Sequence, residues 1–443
     1  MTTATNALPL PRKALLWLLA AIFITGAAFA LRSLTTPFQP AATPRTVVIA
    51  PGDLDAITQA QARLQRAPND PDALAQLGIA WLQRVRMTGD VSLYAYAQSA
   101  IEQALARDAQ HSDALAARGT LALALHDFAG ALTWADRLIA VNPYRAAAYG
   151  IRTDALVELG RYDAAVTALQ RMVDLRPDAE SYSRISYLRE LYGDSDGALA
   201  AMQMAVSSAV PSTEPWLWAL THVGHLQRSQ HRLAEAEAAY RQVLAQNPDY
   251  APAIVGLAQV IAARGDQRQA IDLLAPVVAR LPLPEYLILL GELYEVQGDE
   301  ASARQQYDLV RVMQQINAAS GMAVDLELAT FEAIHGEDAT TALTQAQAAY
   351  NARPTIYAAD TLAWALYRNG HYAEARRYSE EARRLGTRDA ILYLHAAEIA
   401  HALGDDEAAQ AMLEQALTIN PYPSPLTSIQ LAALHQRLSA NQP

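Results

Sequence analysis

The chain has 443 residues, 34 basic against 46 acidic side chains, and no cysteine. The formal net charge of −12 argues against nucleic-acid binding, which needs a basic footprint to neutralise phosphates. Without cysteine there is no disulfide, no thiolate catalysis and no cysteine-linked lipid.

At the N-terminus, residues 1–13 end in Arg12-Lys13, and an uncharged apolar run follows from Ala14 to Leu31. At about 1.5 Å per helical residue the run reaches roughly 27 Å, close to the thickness of a bilayer core. It reads as a transmembrane helix. It also fits a signal peptide cleaved near Ala30, because Gly26 breaks the helix and Ala28-Phe29-Ala30 is a small-x-small tripeptide. Either way the positive flank, residues 1–13, stays in the cytoplasm and the remainder is exported. Residues 32–52 hold Pro37, Pro40, Pro44 and Pro51 among Thr, Ala and Ser, the composition of an extended linker.

From residue 53 to 425 the sequence reads as helix after helix. Apolar residues recur at three- and four-residue steps, and alanine and leucine dominate. Pro143, Pro177 and Pro211 stand 34 residues apart, as do Pro248 and Pro282. Such a period marks a solenoid, whose stacked units share a core that none could bury alone. Turns are expected at Gly160, Gly193, Gly265, Gly298, Gly336 and Gly404, and helix starts at Pro71, Pro215, Pro252 and Pro284. In the second helix of each unit a small residue (Ala131, Ala165, Ala236, Ala270, Ala303, Ala375, Ala409) would admit a close neighbour. A large residue four positions later, such as Leu169, Tyr240, Leu274, Tyr307 or Leu413, would fill the space beyond it. Residues 426–443 read as a C-terminal capping helix and tail.

No catalytic constellation is present: there is no phosphate loop ending in Gly-Lys-Ser/Thr, no His-Glu-x-x-His and no Gly-x-Ser-x-Gly. His222 and His225 share a helix face but lack an acidic or cysteine ligand at helical spacing. Asp194-Ser195-Asp196-Gly197 starts like a calcium loop, but its twelfth position is Ala205 rather than Glu. The acids at Asp405-Asp406-Glu407 and Glu337-Asp338 sit where helices begin, where they complement the helix dipole. The chain is expected to be no enzyme and to need neither metal nor cofactor.

These offsets resemble the tetratricopeptide repeat. Leu220, Val223, Gly224, Ala236, Tyr240, Val243 and Pro248 match it best, and Leu287, Leu290, Gly291, Tyr294, Ala303, Tyr307 and Val310 nearly as well. The resemblance implies an all-α, right-handed α-solenoid of about ten helix-turn-helix units across residues 70–421, behind the N-terminal transmembrane or signal helix. Departures are Thr153 in place of a Gly, an insertion around Met87–Ser92, and a run-on through Gln314–Met322. The family register implies a concave groove lined by first helices. It places Trp218, His225, Glu285, Glu292, Glu295, Phe331, Tyr357, Trp364, Tyr367, Arg368, Glu398 and His401 there, some of them shared with packing between units. Aromatics and arginine are favoured anchors at interfaces. Those helices contain no lysine, so a carboxylate clamp of the chaperone-binding kind is not expected.

Two functions follow as expectations. One is a scaffold tethered to the cytoplasmic membrane through residues 14–31, its array outside the cytoplasm. It would bind a partner peptide or helix in its groove and support assembly of an envelope complex. The other is an accessory subunit of an enzyme or transporter that binds a glycan or small molecule.

Overall fold

The computed structural model describes residues 51–323 and 326–440. The apolar run Ala14–Leu31 and its linker lie outside them, and no helix among the described residues is long and apolar enough to cross a membrane.

The described residues hold 22 α-helices and no strand. A leading helix, α1 (Pro51–Arg66), precedes ten antiparallel pairs. Unit 1 is α2 (Pro71–Thr88) with α3 (Tyr94–Arg107); unit 2 is α4 (Ser112–Ala124) with α5 (Phe128–Val141). Units 3 and 4 are α6 (Ala146–Glu158) with α7 (Tyr162–Leu175), and α8 (Ala179–Leu191) with α9 (Ser195–Ser208). Units 5 and 6 are α10 (Glu214–Ser229) with α11 (Leu233–Gln246), and α12 (Ala251–Ala263) with α13 (Gln267–Arg280). Units 7 and 8 are α14 (Pro284–Val296) with α15 (Glu300–Ala319), and α16 (Leu326–His335) with α17 (Ala339–Ala352). Units 9 and 10 are α18 (Ile356–Arg368) with α19 (Tyr372–Ala382), and α20 (Ala390–Ala402) with α21 (Asp406–Ile419); α22 (Pro425–Ala440) follows. The insertion near Met87–Ser92 is a lengthened α2 and a 3₁₀ turn at Val91–Leu93, and the run-on is the 20-residue α15.

Local chemistry sets the boundaries. Asp127, Asp194, Asp266, Asp299, Asp338 and Asp405 each cap a second helix by accepting from its first-turn amides, so Asp194 is a helix cap. Gly160, Gly193, Gly265, Gly298 and Gly404 end first helices in the left-handed region. Gly336 is the exception: it stays out of that region, and its carbonyl accepts from Arg368 at 2.7 Å.

The core is a continuous stack between units. The small residues of the second helices, Ala131 to Ala409, are all buried. Tyr240 is fully buried between Gly224 of its own unit and Gly256 of the next. A Cβ on Gly224 would fall 2.5 Å from the Tyr240 ring. The glycines therefore make room for the tyrosine that locks units 5 and 6 together. At the end of the stack α22 buries Leu431, Leu434 and Leu438 and leaves Ile429 exposed, which suits a capping helix.

The stack also meets itself. The turn between α4 and α5 touches the linker before α16: the Ala323 amide donates to the Leu125 carbonyl at 3.0 Å, and the His126 Nδ1–H donates to the Ala323 carbonyl at 2.9 Å. Next along, Arg353 pairs with Glu158 at 3.0 Å, and the Ile356 amide donates to the Tyr162 hydroxyl at 3.0 Å. The Thr387 hydroxyl donates to the Leu191 carbonyl, and Arg228 reaches the Pro423 carbonyl at 3.5 Å. These partners are 194 to 198 residues apart. With a 34-residue unit, the coil returns to itself after between five and six units. A seam of turns set against linkers joins one turn of the coil to the next.

Candidate partner-binding groove

Several first-helix groups are exposed or half-buried and yet desolvated. They remain open to water but lose part of their solvation to protein on several sides, and loss of solvation disfavours the charged form. Tyr187 is 41% exposed, yet desolvation pushes its hydroxyl pKa up. Burial, followed by the Asp389 charge, raises Glu190 to about 7. Glu285 is exposed and is also raised by burial, and the half-buried His222 is lowered by it. Carboxylates of the second helices behave differently. Hydrogen bonds from Arg241 and Arg264 hold Glu237 below the usual range, and Arg376 with the Ala408 amide does the same for Asp405. Burial therefore acts on these first-helix groups, while arginine and amide hydrogen bonds act on these second-helix carboxylates.

The predicted groove residues divide between wall and packing. Trp218 is 37% exposed and stacks on His222, with ring centroids 3.7 Å apart. The His222 Nδ1–H donates to the Trp218 carbonyl at 2.8 Å, which fixes that ring. Trp364 is half-buried between Tyr367 at 4.8 Å and His395 at 4.1 Å, both nearly parallel to it. His395 in turn donates to Asp360 at 2.8 Å. Tyr357 is half-buried, its hydroxyl raised well above its usual pKa by burial and by Asp389, Tyr187 and Glu190.

The remaining candidates serve structure. Phe331 is buried in the core of units 6 and 7. His225 contacts the Tyr240 hydroxyl at 2.7 Å, and burial lowers its pKa well below the usual histidine value. Arg368 ties down the end of α16, donating to the carbonyls of Glu332, Ala333 and Gly336. His401 bonds Asp406, the first residue of the next helix, at 2.6 Å. Glu292 is buried, and burial raises it to about 7; it accepts from Ser424 and the Leu426 amide and so holds the start of α22. Glu398 accepts from Arg437 of α22 and from Tyr367. Glu295 accepts from Tyr307.

Sequence reasoning missed Tyr187, Glu190 and Asp389. The coil brings Tyr187 and Glu190 of unit 4 close to Tyr357 and Asp389 of units 9 and 10. Only the aromatic spacing Tyr182–Tyr187 within the polar helix α8 could have flagged the first of them.

Three tetratricopeptide-repeat family models match the chain, at residues 152–212, 227–293 and 390–423. It is a tetratricopeptide-repeat protein. No curated protein matches the chain. Among solved structures it is similar to a human IFIT1 dimer with PPP-AAAA (14% identity, covering 74% of this chain and 77% of that one, TM-score 0.48). It is also similar to the APC/C hetero-tetramer Cut9-Hcn1 (15% identity, 87% and 95% covered, TM-score 0.40). A third is PilW, a type IV pilus biogenesis factor (18% identity, 45% and 92% covered, TM-score 0.39). At these identities and scores the likenesses bear on neither partner nor site.

Tetratricopeptide repeats are commonly protein-interaction units, and their fold carries no chemistry of its own. Two surface clefts among the described residues are shallow. One is lined by Leu343, Thr344, Gln347, Leu366, His371 and Glu374, the other by the Tyr162–Arg384 region, and neither gathers the groove aromatics around one point.

Proposed function

We propose that the chain is a scaffold that holds an extended protein segment along the inner wall of its coil. The observation that carries this reading is the set of partly exposed rings on first helices, Tyr187, Trp218, Tyr357 and Trp364, spread along the wall rather than converging on a pocket. Spread anchors suit a peptide or helix, whereas a small molecule needs convergent polar groups. The residues Ala14–Leu31 would tether the array to the cytoplasmic membrane, with the Pro-rich linker holding it off the surface on the exported side. There it would support assembly of an envelope complex.

Affinity capture of the full chain from gently solubilised membranes, beside a Trp218→Ala/Tyr357→Ala/Trp364→Ala variant, tests the groove. Partners recovered with the wild type and lost with the folded variant support it; the same partners with both reject it. Deletion of residues 14–31 should move the protein out of the membrane fraction, and unchanged membrane retention would remove the tether from the proposal.

A further inference from the structure

Glu292, Trp364 and Glu398 stand at one register position, eight residues after the starts of their first helices at Pro284, Ile356 and Ala390. Trp364 stays partly open, whereas both glutamates are buried, and the C-terminus of the chain itself meets each of them. The lead-in to α22 crosses the first helices of units 5–7. Its Pro423 carbonyl accepts from Arg228 of α10 at 3.5 Å, and Tyr422 packs against the apolar cluster that holds Tyr286, Leu289 and Leu290 of α14. The start of α22 lies on α14, and its far end closes on unit 10, where Arg437 pairs with Glu398. Glu398 also accepts from Tyr367 at 3.3 Å. From Pro425 to Arg437 the helix advances about 18 Å. Capping explains only part of this. Leu431, Leu434 and Leu438 cover the end of unit 10, but a cap needs no contact with units 5 and 7.

We propose that residues 421–440 are an intramolecular ligand of the groove, and that the wall they cover takes a protein segment of the same chemistry. That segment has an aromatic-proline lead for units 5–7, followed by a helix whose basic residue, about three turns on, reaches Glu398. A basic segment also suits a chain of net charge −12. The contact in cis is not the best this wall can make. The Nε of Arg228 is buried without a hydrogen-bond partner, and the Pro423 carbonyl lies at the far limit of hydrogen-bonding distance from the same guanidinium. An unmade buried donor is costly, so a segment with an acceptor there would bind more tightly than the C-terminus does. The two compete for one surface, and the contact in cis sets the affinity a partner must exceed. The inference rests on the groove reading above, but its probe is the chain's own segment. Its failure would leave the anchors Tyr187, Trp218, Tyr357 and Trp364 untouched, and failed partner capture would leave the contact in cis standing.

The probe is a synthetic, fluorescein-labelled peptide of residues 420–440, and the host is the full chain. Tyr422→Ala/Arg437→Ala in the host weakens its own segment and keeps the wall. Fluorescence anisotropy should show the probe binding this host at least tenfold more tightly than the wild type, whose wall is filled. Adding Glu398→Gln to that host should weaken the probe several-fold. Arg437→Glu alone, at an exposed residue whose change leaves the core intact, should give a smaller gain of the same sign. Equal affinity for wild-type and weakened hosts, or no measurable binding to either, overturns the proposal. A gain that Glu398→Gln does not reduce overturns it too, because the probe would then sit elsewhere.

Discussion

Two sets of turns in this molecule have the same sequence signature and different surroundings. Gly160-Arg161 and Gly193-Asp194 in the first half read like Gly265-Asp266, Gly298-Asp299 and Gly404-Asp405 in the second, and all five glycines adopt left-handed backbone. In the first half the glycine presses against another turn of the coil. A Cβ on Gly160 would meet the Pro354 carbonyl oxygen, and one on Gly193 the Gly386 carbonyl oxygen. In the second half the space is open. The comparison separates what a repeat does for itself from what the coil asks of it. Each of these five turns needs a residue that tolerates positive φ, but only the two on the seam also need the room.

The largest effect on this comparison should come from Arg353, which bridges two turns of the coil. Arg353→Ala leaves Glu158, already raised by burial, without its cation. Glu158 and Glu327 keep 34% and 46% of their side-chain surface, so they can rehydrate and the loss should be about 1–3 kcal/mol rather than that of a fully buried pair. Denaturant unfolding should show that loss, and small-angle scattering should show a wider coil. An unchanged radius would mean that the seam holds without it.

Glycine substitutions come next. Gly193→Ala and Gly404→Ala both incur backbone strain of roughly 1–2 kcal/mol. Only the first should add about 1–3 kcal/mol of overpacking against the linker. Equal midpoints for the two variants in urea would erase the distinction between seam and open edge.

A smaller effect is expected from one hydroxyl. Tyr162 and Tyr372 both open second helices, but only the Tyr162 hydroxyl accepts from a residue across the seam, the Ile356 amide. Tyr162→Phe leaves that buried amide unsatisfied, at about 1–3 kcal/mol. Tyr372→Phe, on an exposed ring, should be near neutral in the same thermal melts.

The most modest effect is on pH dependence. Glu190 at the seam and Glu292 beneath α22 are both raised to about 7, burial being the first cause for each. The unfolded chain holds these protons more weakly, with an ordinary glutamate pKa of about 4.3. Their contribution to stability is therefore full below that value and is lost as pH rises through about 7. Melts from pH 5 to 8 should show declining stability, and Glu292→Gln or Glu190→Gln should flatten the decline. A slope that neither variant alters would place the titration elsewhere.

The repeat architecture was legible because it is local. Proline spacing, the buried alanines and the capping aspartates each act within one unit or between neighbours. The insertion at Met87–Ser92 and the run-on after Gln314 were legible for the same reason. The groove was only half legible. Repeat register puts Phe331 and Trp364 alike on first helices, but Phe331 turns into the core while Trp364 stays partly open. Tyr187 escaped notice because α8 is polar throughout and offers little contrast between its faces. The seam could not be read from the sequence at all. Its partners are nearly two hundred residues apart and use ordinary turn residues, and where a coil returns to itself depends on small rotations summed over many units.

The most direct test of the closed coil is a single disulfide. The Ala323 amide and the Leu125 carbonyl are 3.0 Å apart, which brings the two residues within reach of a cystine bridge. In Leu125→Cys/Ala323→Cys, mild oxidation should give a monomeric, fully cross-linked chain, because no other thiol competes. Thiols that stay free, or that pair only between molecules, would contradict a coil that closes on itself.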